Sequence, residues 1–95
     1  MSTKTIGIGI IGGGRIAGGH AGACLANPGL LELRGIASSR PARAAELTQK
    51  FGGAAFSDWR VMLERPEIDA VVIGLPNDQH VEATLAAVRA GKHVL

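Results

Sequence analysis

The chain has 95 residues, 46% hydrophobic and 19% charged, which supplies a core for one domain and excludes an intrinsically disordered segment. Three aromatic residues, a lone cysteine and a net charge of +2 speak against base-stacking platforms, internal disulfides and Cys-rich zinc sites. The basic residues are scattered, but residues 1–50 hold six basic and two acidic side chains against four and six in residues 51–95, so an anionic ligand favours the first half.

Residues 5–11 read T-I-G-I-G-I-I, apolar on both faces, which predicts a strand buried in a parallel sheet under helices. Gly12-Gly13-Gly14 interrupts it. Residues 15–27 then carry Ile16, Ala17, His20, Ala21, Cys24 and Leu25 at helical spacing, and Asn27-Pro28-Gly29 stops the helix. A second strand is predicted over 31–38. A helix over 41–51 follows, with Pro in its first turn and Gly52-Gly53 as its stop. Residues 54–56 predict a short third strand, and Ser57 is positioned to cap a helix over 58–65 that Pro66 closes. Residues 69–75 (D-A-V-V-I-G-L) predict another doubly buried strand. Pro76-Asn77-Asp78 reads as a turn, residues 79–90 as a helix packed through Val81, Leu85 and Val88, and Gly91 as its cap. His93 opens a fifth strand.

Alternating strands and helices of these lengths give an α/β fold, a doubly wound parallel sheet of the Rossmann type. The expectation is one dinucleotide-binding domain over 1–95, incomplete and truncated at about the fifth strand, with any substrate domain lying beyond it. An edge strand and surfaces shaped for a second domain favour self-association. The longest apolar runs fall short of the ~18 residues of a membrane span, and a Gly-broken Ile run is no signal-peptide core, so a cytoplasmic protein is expected.

Two glycine patterns compete. Gly7-Ile-Gly9-Ile-Ile-Gly12 matches G-x-G-x-x-G literally, but its glycines lie within the strand itself. Gly12-Gly-Gly14-Arg-Ile-Ala17 follows a strand and opens a helix, the context in which the pattern binds a pyrophosphate. Gly12 serves the tight turn, Gly14 admits the phosphates, and the helix dipole faces them. At the end of the second strand stands Ala37-Ser38-Ser39-Arg40, where an NAD-binding unit usually has an acid for the ribose 2′-hydroxyl. Hydroxyls and a guanidinium suit a 2′-phosphate, so NADP is expected in preference to NAD. Ser39 as a helix cap is the bland alternative. Lys92, Arg34, Arg43 and Arg89 read as surface charges, with Arg43 within reach of a 2′-phosphate. His20, Trp59 and Met62 read as packing residues and Cys24 as a small buried hydrophobe.

In order and spacing, Gly9-Ile-Ile-Gly-Gly-Gly-Arg-Ile-Ala17 with His20, Ser57-Asp58-Trp59, Ile68-Asp-Ala-Val-Val-Ile-Gly-Leu-Pro-Asn77 with His80, and Ala90-Gly-Lys-His-Val-Leu95 resemble one family. It is the N-terminal domain of the glucose–fructose oxidoreductase and inositol dehydrogenase (Gfo/Idh/MocA) family, and the resemblance covers essentially the whole chain. It implies NAD(P)-dependent oxidation or reduction of sugars, cyclitols and related polyols or carbonyls, a small-molecule substrate in the full-length protein, and homo-oligomers, with no role for nucleic acid or membrane. It places Gly12, Gly14, Arg15 and Ile16 along the pyrophosphate. Ser38 and Arg40 would face the adenosine ribose. Leu75, Pro76, Asn77 and His80 would line the way to the nicotinamide, with His80 as a helix cap the competing role. The family's Glu-Lys-Pro and its later acid–base residues would fall beyond Leu95, so no catalytic residue and no metal ligand is assigned, and this stretch alone is expected to bind cofactor without turnover. A dinucleotide-sensing regulatory module is the alternative. A methyltransferase is disfavoured because no acid follows the second strand.

Overall fold

A computed structural model of the chain describes residues 5–14 and 17–95, with only the backbone described at Asn77. Strands β1 (Ile6–Ile11), β2 (Leu31–Ala37), β3 (Ala54–Phe56), β4 (Ala70–Ile73) and β5 (His93–Val94) form one sheet in the order β3-β2-β1-β4-β5. Every pairing is parallel. Helices α1 (Ala17–Ala26), α2 (Pro41–Phe51), α3 (Trp59–Leu63) and α4 (Asn77–Arg89) make the crossovers. The first two moves from β1 go outward to β2 and β3; the chain then returns past β1 to β4. That reversal gives the sheet a switch point between β1 and β4, where open α/β sheets bind ligands.

Period-two alternation in β1 divides the core between the two faces. Ile8 and Ile10 join Ala17, Ala21, Cys24 and Leu47 beneath α1 and α2. Ile11 faces the other way, with Met62, Leu63, Ala83 and Ala87 of α3 and α4. The glycines of β1 and β2 make a trough on that second face. A Cβ built on Gly9 would lie 2.9 Å from Met62 Cε, and one on Gly35 2.8 Å from Met62 Sδ. The competing G-x-G-x-x-G run is therefore packing: Met62, fully buried, lies where those side chains would be.

At the opposite end of the sheet the chain is held by polar contacts. Gly7 N–H donates to Asp69 Oδ2 at 2.7 Å, while Asp69 N–H donates to the Gly7 carbonyl at 2.8 Å. Pairing of β1 with β2 skips Arg34, a bulge that aims its guanidinium across Gly7 to the Glu67 carbonyl at 2.7 Å. Arg34 is thus a half-buried tie between strands, not a solvated charge.

Several local expectations shift. Asp58, not Ser57, caps α3, its Oδ1 accepting from Arg60 N–H at 2.9 Å. Arg40 occupies the cap position of α2 without a side-chain cap bond, so Ser39 does not serve there. Helix α4 starts two residues earlier than predicted, directly behind Pro76. Its buried face is Ala83 and Ala87, whereas Val81, Leu85 and Val88 are 61%, 50% and 60% exposed. Small side chains let a helix sit close to a sheet, and here closeness outweighs the bulk of the valines and leucine. Lys92 is also tied in: its Nζ donates to the carbonyls of Arg65 at 2.8 Å and Ile68 at 2.6 Å, bracing the entry to β4.

Two outcomes follow from this packing. A Cβ at Gly7 would lie 2.1 Å from the Glu67 backbone carbonyl, so Gly7→Ala should lower unfolding free energy in urea by about 3 kcal/mol. Burial pushes the Cys24 thiol above its ordinary pKa, so it stays protonated at pH 8. Alkylation of the native chain at that pH should run far slower than in 6–8 M urea, and equal rates would show that this helix face opens freely.

Candidate functional site

The cleft sits at the carboxyl ends of β1, β2 and β4 and encloses about 410 Å³. Backbone hydrogen bonds fix its floor. Gly12 N–H donates to the Ala37 carbonyl and Gly74 N–H to the Ile11 carbonyl, both at 2.8 Å. The chain then turns at Gly12, whose φ of +108° is open to glycine at little cost. A Cβ there would also stand 2.6 Å from the Gly74 carbonyl oxygen. Gly13 is enclosed by Ser38 and Arg43. Gly14 is exposed, with nothing within 4 Å of a Cβ position. The first two glycines therefore meet protein, and the third borders the open cleft.

The second wall is the end of β2. Ser38 is buried, and its Oγ accepts from Arg40 N–H at 3.1 Å, folding the strand end into a tight polar turn. Ser39 and Arg40 line the cleft beside it. Among the described residues the Arg40 guanidinium takes part in no hydrogen bond or ion pair, which leaves a cation facing the cavity. Arg43 reaches from α2 to donate Nε to the Gly13 carbonyl at 2.9 Å and a second nitrogen to Glu46 Oε1 at 3.0 Å. It braces the glycine turn from outside.

The third wall comes from Ser57, Asp58 and Trp59 after β3, and the fourth from Leu75, Pro76 and Gln79 after β4. Asp58 is the acid of the lining, and its carboxylate is engaged by the α3 amide and by Arg60, 3.6 Å away. Trp59 is half-buried and faces the cleft; the Arg60 guanidinium lies 4.3 Å from its ring centroid.

Of the residues singled out from sequence, Gly12, Gly14, Ser38, Arg40, Leu75 and Pro76 meet in this one cleft. Arg15 and Ile16 lie outside the described residues, as does the side chain of Asn77, whose backbone opens α4. His80 is exposed one turn into α4; its N–H donates to the Pro76 carbonyl at 2.8 Å, its Nδ1 lies 3.4 Å from Thr84 Oγ1, and it is not in the cleft lining. Sequence reasoning overlooked Ser57, Asp58, Trp59 and Gln79 as site residues. The available signal was positional, since each follows the carboxyl end of a parallel strand. The described residues hold no cluster of His, Cys, Asp and Glu suited to a metal ion, and none of their helices is long and apolar enough to cross a membrane.

Comparison with known proteins agrees with this geometry. Residues 6–95 match a family model described as an oxidoreductase family with an NAD-binding Rossmann fold. A dTDP-3,4-didehydro-2,6-dideoxy-alpha-D-glucose 3-reductase from Actinomadura kijaniata is 42% identical over 99% of this chain and 28% of its own length. A levoglucosan dehydrogenase from Pseudarthrobacter phenanthrenivorans is 36% identical over 97% of this chain and 26% of its own. Among solved structures, a 3-ketoreductase from Actinomadura kijaniata in complex with NADP and TDP-benzene superposes with a TM-score of 0.91 at 42% identity, covering 97% of this chain and 28% of that one. Apo scyllo-inositol dehydrogenase from Lactobacillus casei gives 0.90 at 35% identity, covering 99% and 28%. The chain thus spans little more than a quarter of the length of these relatives.

Because a Cβ at Gly14 would meet nothing within 4 Å, Gly14→Val should leave urea stability within about 0.5 kcal/mol of the parent while filling the space where phosphates would approach. Loss of dinucleotide binding in calorimetry without loss of stability is the expected result.

Proposed function

We propose, from the premise that the chain belongs to the Gfo/Idh/MocA oxidoreductase family matched over residues 6–95, that it is the NADP(H)-binding portion of an enzyme acting on a sugar, cyclitol or related polyol or carbonyl. The observation that supports this best is the cleft itself, where a three-glycine turn shares the lining with Ser38, Ser39 and Arg40, the last without a side-chain partner among the described residues. Relatives named as sugar reductases and dehydrogenases, and one bound to NADP, support the same reading.

The donor set fits a phosphorylated dinucleotide. The turn after β1 leaves Gly14 bordering open space at the approach to α1, which suits a pyrophosphate. The polar turn at Ser38 and the Arg40 guanidinium offer a hydroxyl and a cation to a 2′-phosphate. The one carboxylate in the lining, Asp58, is engaged by α3 and Arg60, so it does not oppose an anion as a bare acid would. Once bound, the nicotinamide supplies or accepts the hydride at a substrate carbon. This chain's residues hold and orient the cofactor, and the described residues of the cleft lining include no Lys, His or Tyr to move a hydroxyl proton. Cofactor binding without turnover is therefore the role assigned to these 95 residues. The full-length enzyme is proposed to be a cytoplasmic homo-oligomer.

Isothermal titration should show NADPH binding more tightly than NADH. Arg40→Ala should cost NADPH about tenfold in affinity, as loss of one charged hydrogen bond implies, and change NADH less. Sugars or cyclitols with NADP should give no sustained absorbance at 340 nm. A wild-type preference for NADH would overturn the assignment of Arg40.

A further inference from the structure

We propose that the outward face of α4 is a self-association surface, on which two copies of this chain pair α4 against α4. The two helices run antiparallel across a two-fold axis near Leu85, with Val81, Leu85 and Val88 as the apolar seam. The inference rests on the homo-oligomer reading above, to which it gives one contact surface, and is independent of cofactor binding.

Helix α4 is apolar on two opposite sides. At about 100° per residue, Val81, Leu85 and Val88 fall within an arc of roughly 60°. Ala83 and Ala87, fully buried in the core beneath α4, lie on the side away from that arc. A surface helix ordinarily carries polar side chains opposite its buried face. Helix α2 does so, exposing Glu46, Gln49 and Lys50. On α4 the same outward position holds two valines and a leucine, each half exposed or more.

The charges beside this seam select a second copy as its occupant. Asp78 and Arg89 stand on one flank of the seam near the two ends of the helix, about 16 Å apart along its axis. Neither side chain takes part in a hydrogen bond or ion pair among the described residues. In an antiparallel pair the same flanks meet and run in opposite senses, so Asp78 of one copy comes level with Arg89 of the other. Val81 of one copy likewise meets Val88 of the other, and the contact is self-complementary. A parallel pair would set like charges and like dipole ends together. Glu82, on the Asp78 flank, is already engaged by Arg60 of α3 and adds no bare charge. On the other flank Thr84 Oγ1 donates to the His80 carbonyl at 2.8 Å, so its hydroxyl is satisfied within its own helix. One helix face per copy is smaller than the roughly 800 Å² a side of stable complexes, which predicts a weak pair with Kd on the order of 10–100 μM.

Sedimentation velocity of the 95-residue chain over a concentration series spanning that range should show a monomer–dimer equilibrium. Leu85→Glu, on an exposed position and with a good helix former, should raise Kd at least about tenfold while leaving the circular dichroism and NADPH binding unchanged. Asp78→Lys and Arg89→Glu should each raise Kd about fivefold, and the two together should return it to about the parent value. Leu85→Cys, near the axis, should cross-link into a covalent dimer on mild oxidation far faster than Leu30→Cys, an exposed position before β2. A chain that stays monomeric throughout would overturn the inference. Association that survives Leu85→Glu would overturn it too, while leaving self-association through another surface, such as the β5 edge, standing. Single charge variants that the double variant fails to rescue would overturn the antiparallel pairing. Titration of the parent with NADPH reads the cofactor assignment separately from all of these.

Discussion

The site depends on how β1 ends. Its last rungs tie it on one side to Ala37 and on the other to Gly74, so the ends of three strands are locked to a common level. Backbone hydrogen bonds of this sort give a fixed spacing that no single side chain could impose. The glycine turn leaves from that level, and the polar ends of β2 and β4 flank it. A shift of one residue in either pairing would turn the strand's faces over and send Ile8 and Ile10 out of the core. Register of the apolar core and geometry of the cleft are one constraint, seen at the two ends of a strand.

Glycine serves two separate purposes along this strand. Within it, Gly7 and Gly9 make room for Arg34, for the Glu67 carbonyl and for Met62, and so let α3 lie close to the sheet. Past it, Gly12 turns the chain and Gly14 borders open space. The first pair makes room for packing, and the second shapes the turn at the mouth of the cleft. Sequence spacing alone treats them alike, since both fit the same pattern; their position relative to the strand separates them.

Much of the fold was legible before the structure. Doubly apolar runs marked β1 and β4, and glycine and proline marked the helix ends, because these signals are local. What eluded the sequence depended on neighbours. The outward face of α4 holds its bulkiest apolar residues because alanines permit the closer approach to the sheet, and hydrophobicity weighed residue by residue favours the wrong face. Lys92 looked solvated until the carbonyls of Arg65 and Ile68, more than twenty positions earlier, were found beneath it. In the cleft, the glycine turn and Ser38–Arg40 stood out as motifs. Trp59 and Gln79 did not, since only the crossover from β3 to β4 brings their helices to the same wall. Arg43 had a spacing that hinted at a phosphate, yet it holds the Gly13 carbonyl.

The order of the strands also governs when the site can exist during synthesis. Strand β1 leaves the ribosome first and finds β2 after a short crossover, but its other edge stays bare until β4 emerges, with Ile8 waiting for Ala70. Closing that loop of about sixty residues carries a larger entropic cost than the first pairing, and an unpaired central edge is open to other chains meanwhile. The cleft, which needs the far side of that pairing, is a late product of folding. Bound nucleotide would then act as a latch on the completed sheet, holding together the pairing that forms last.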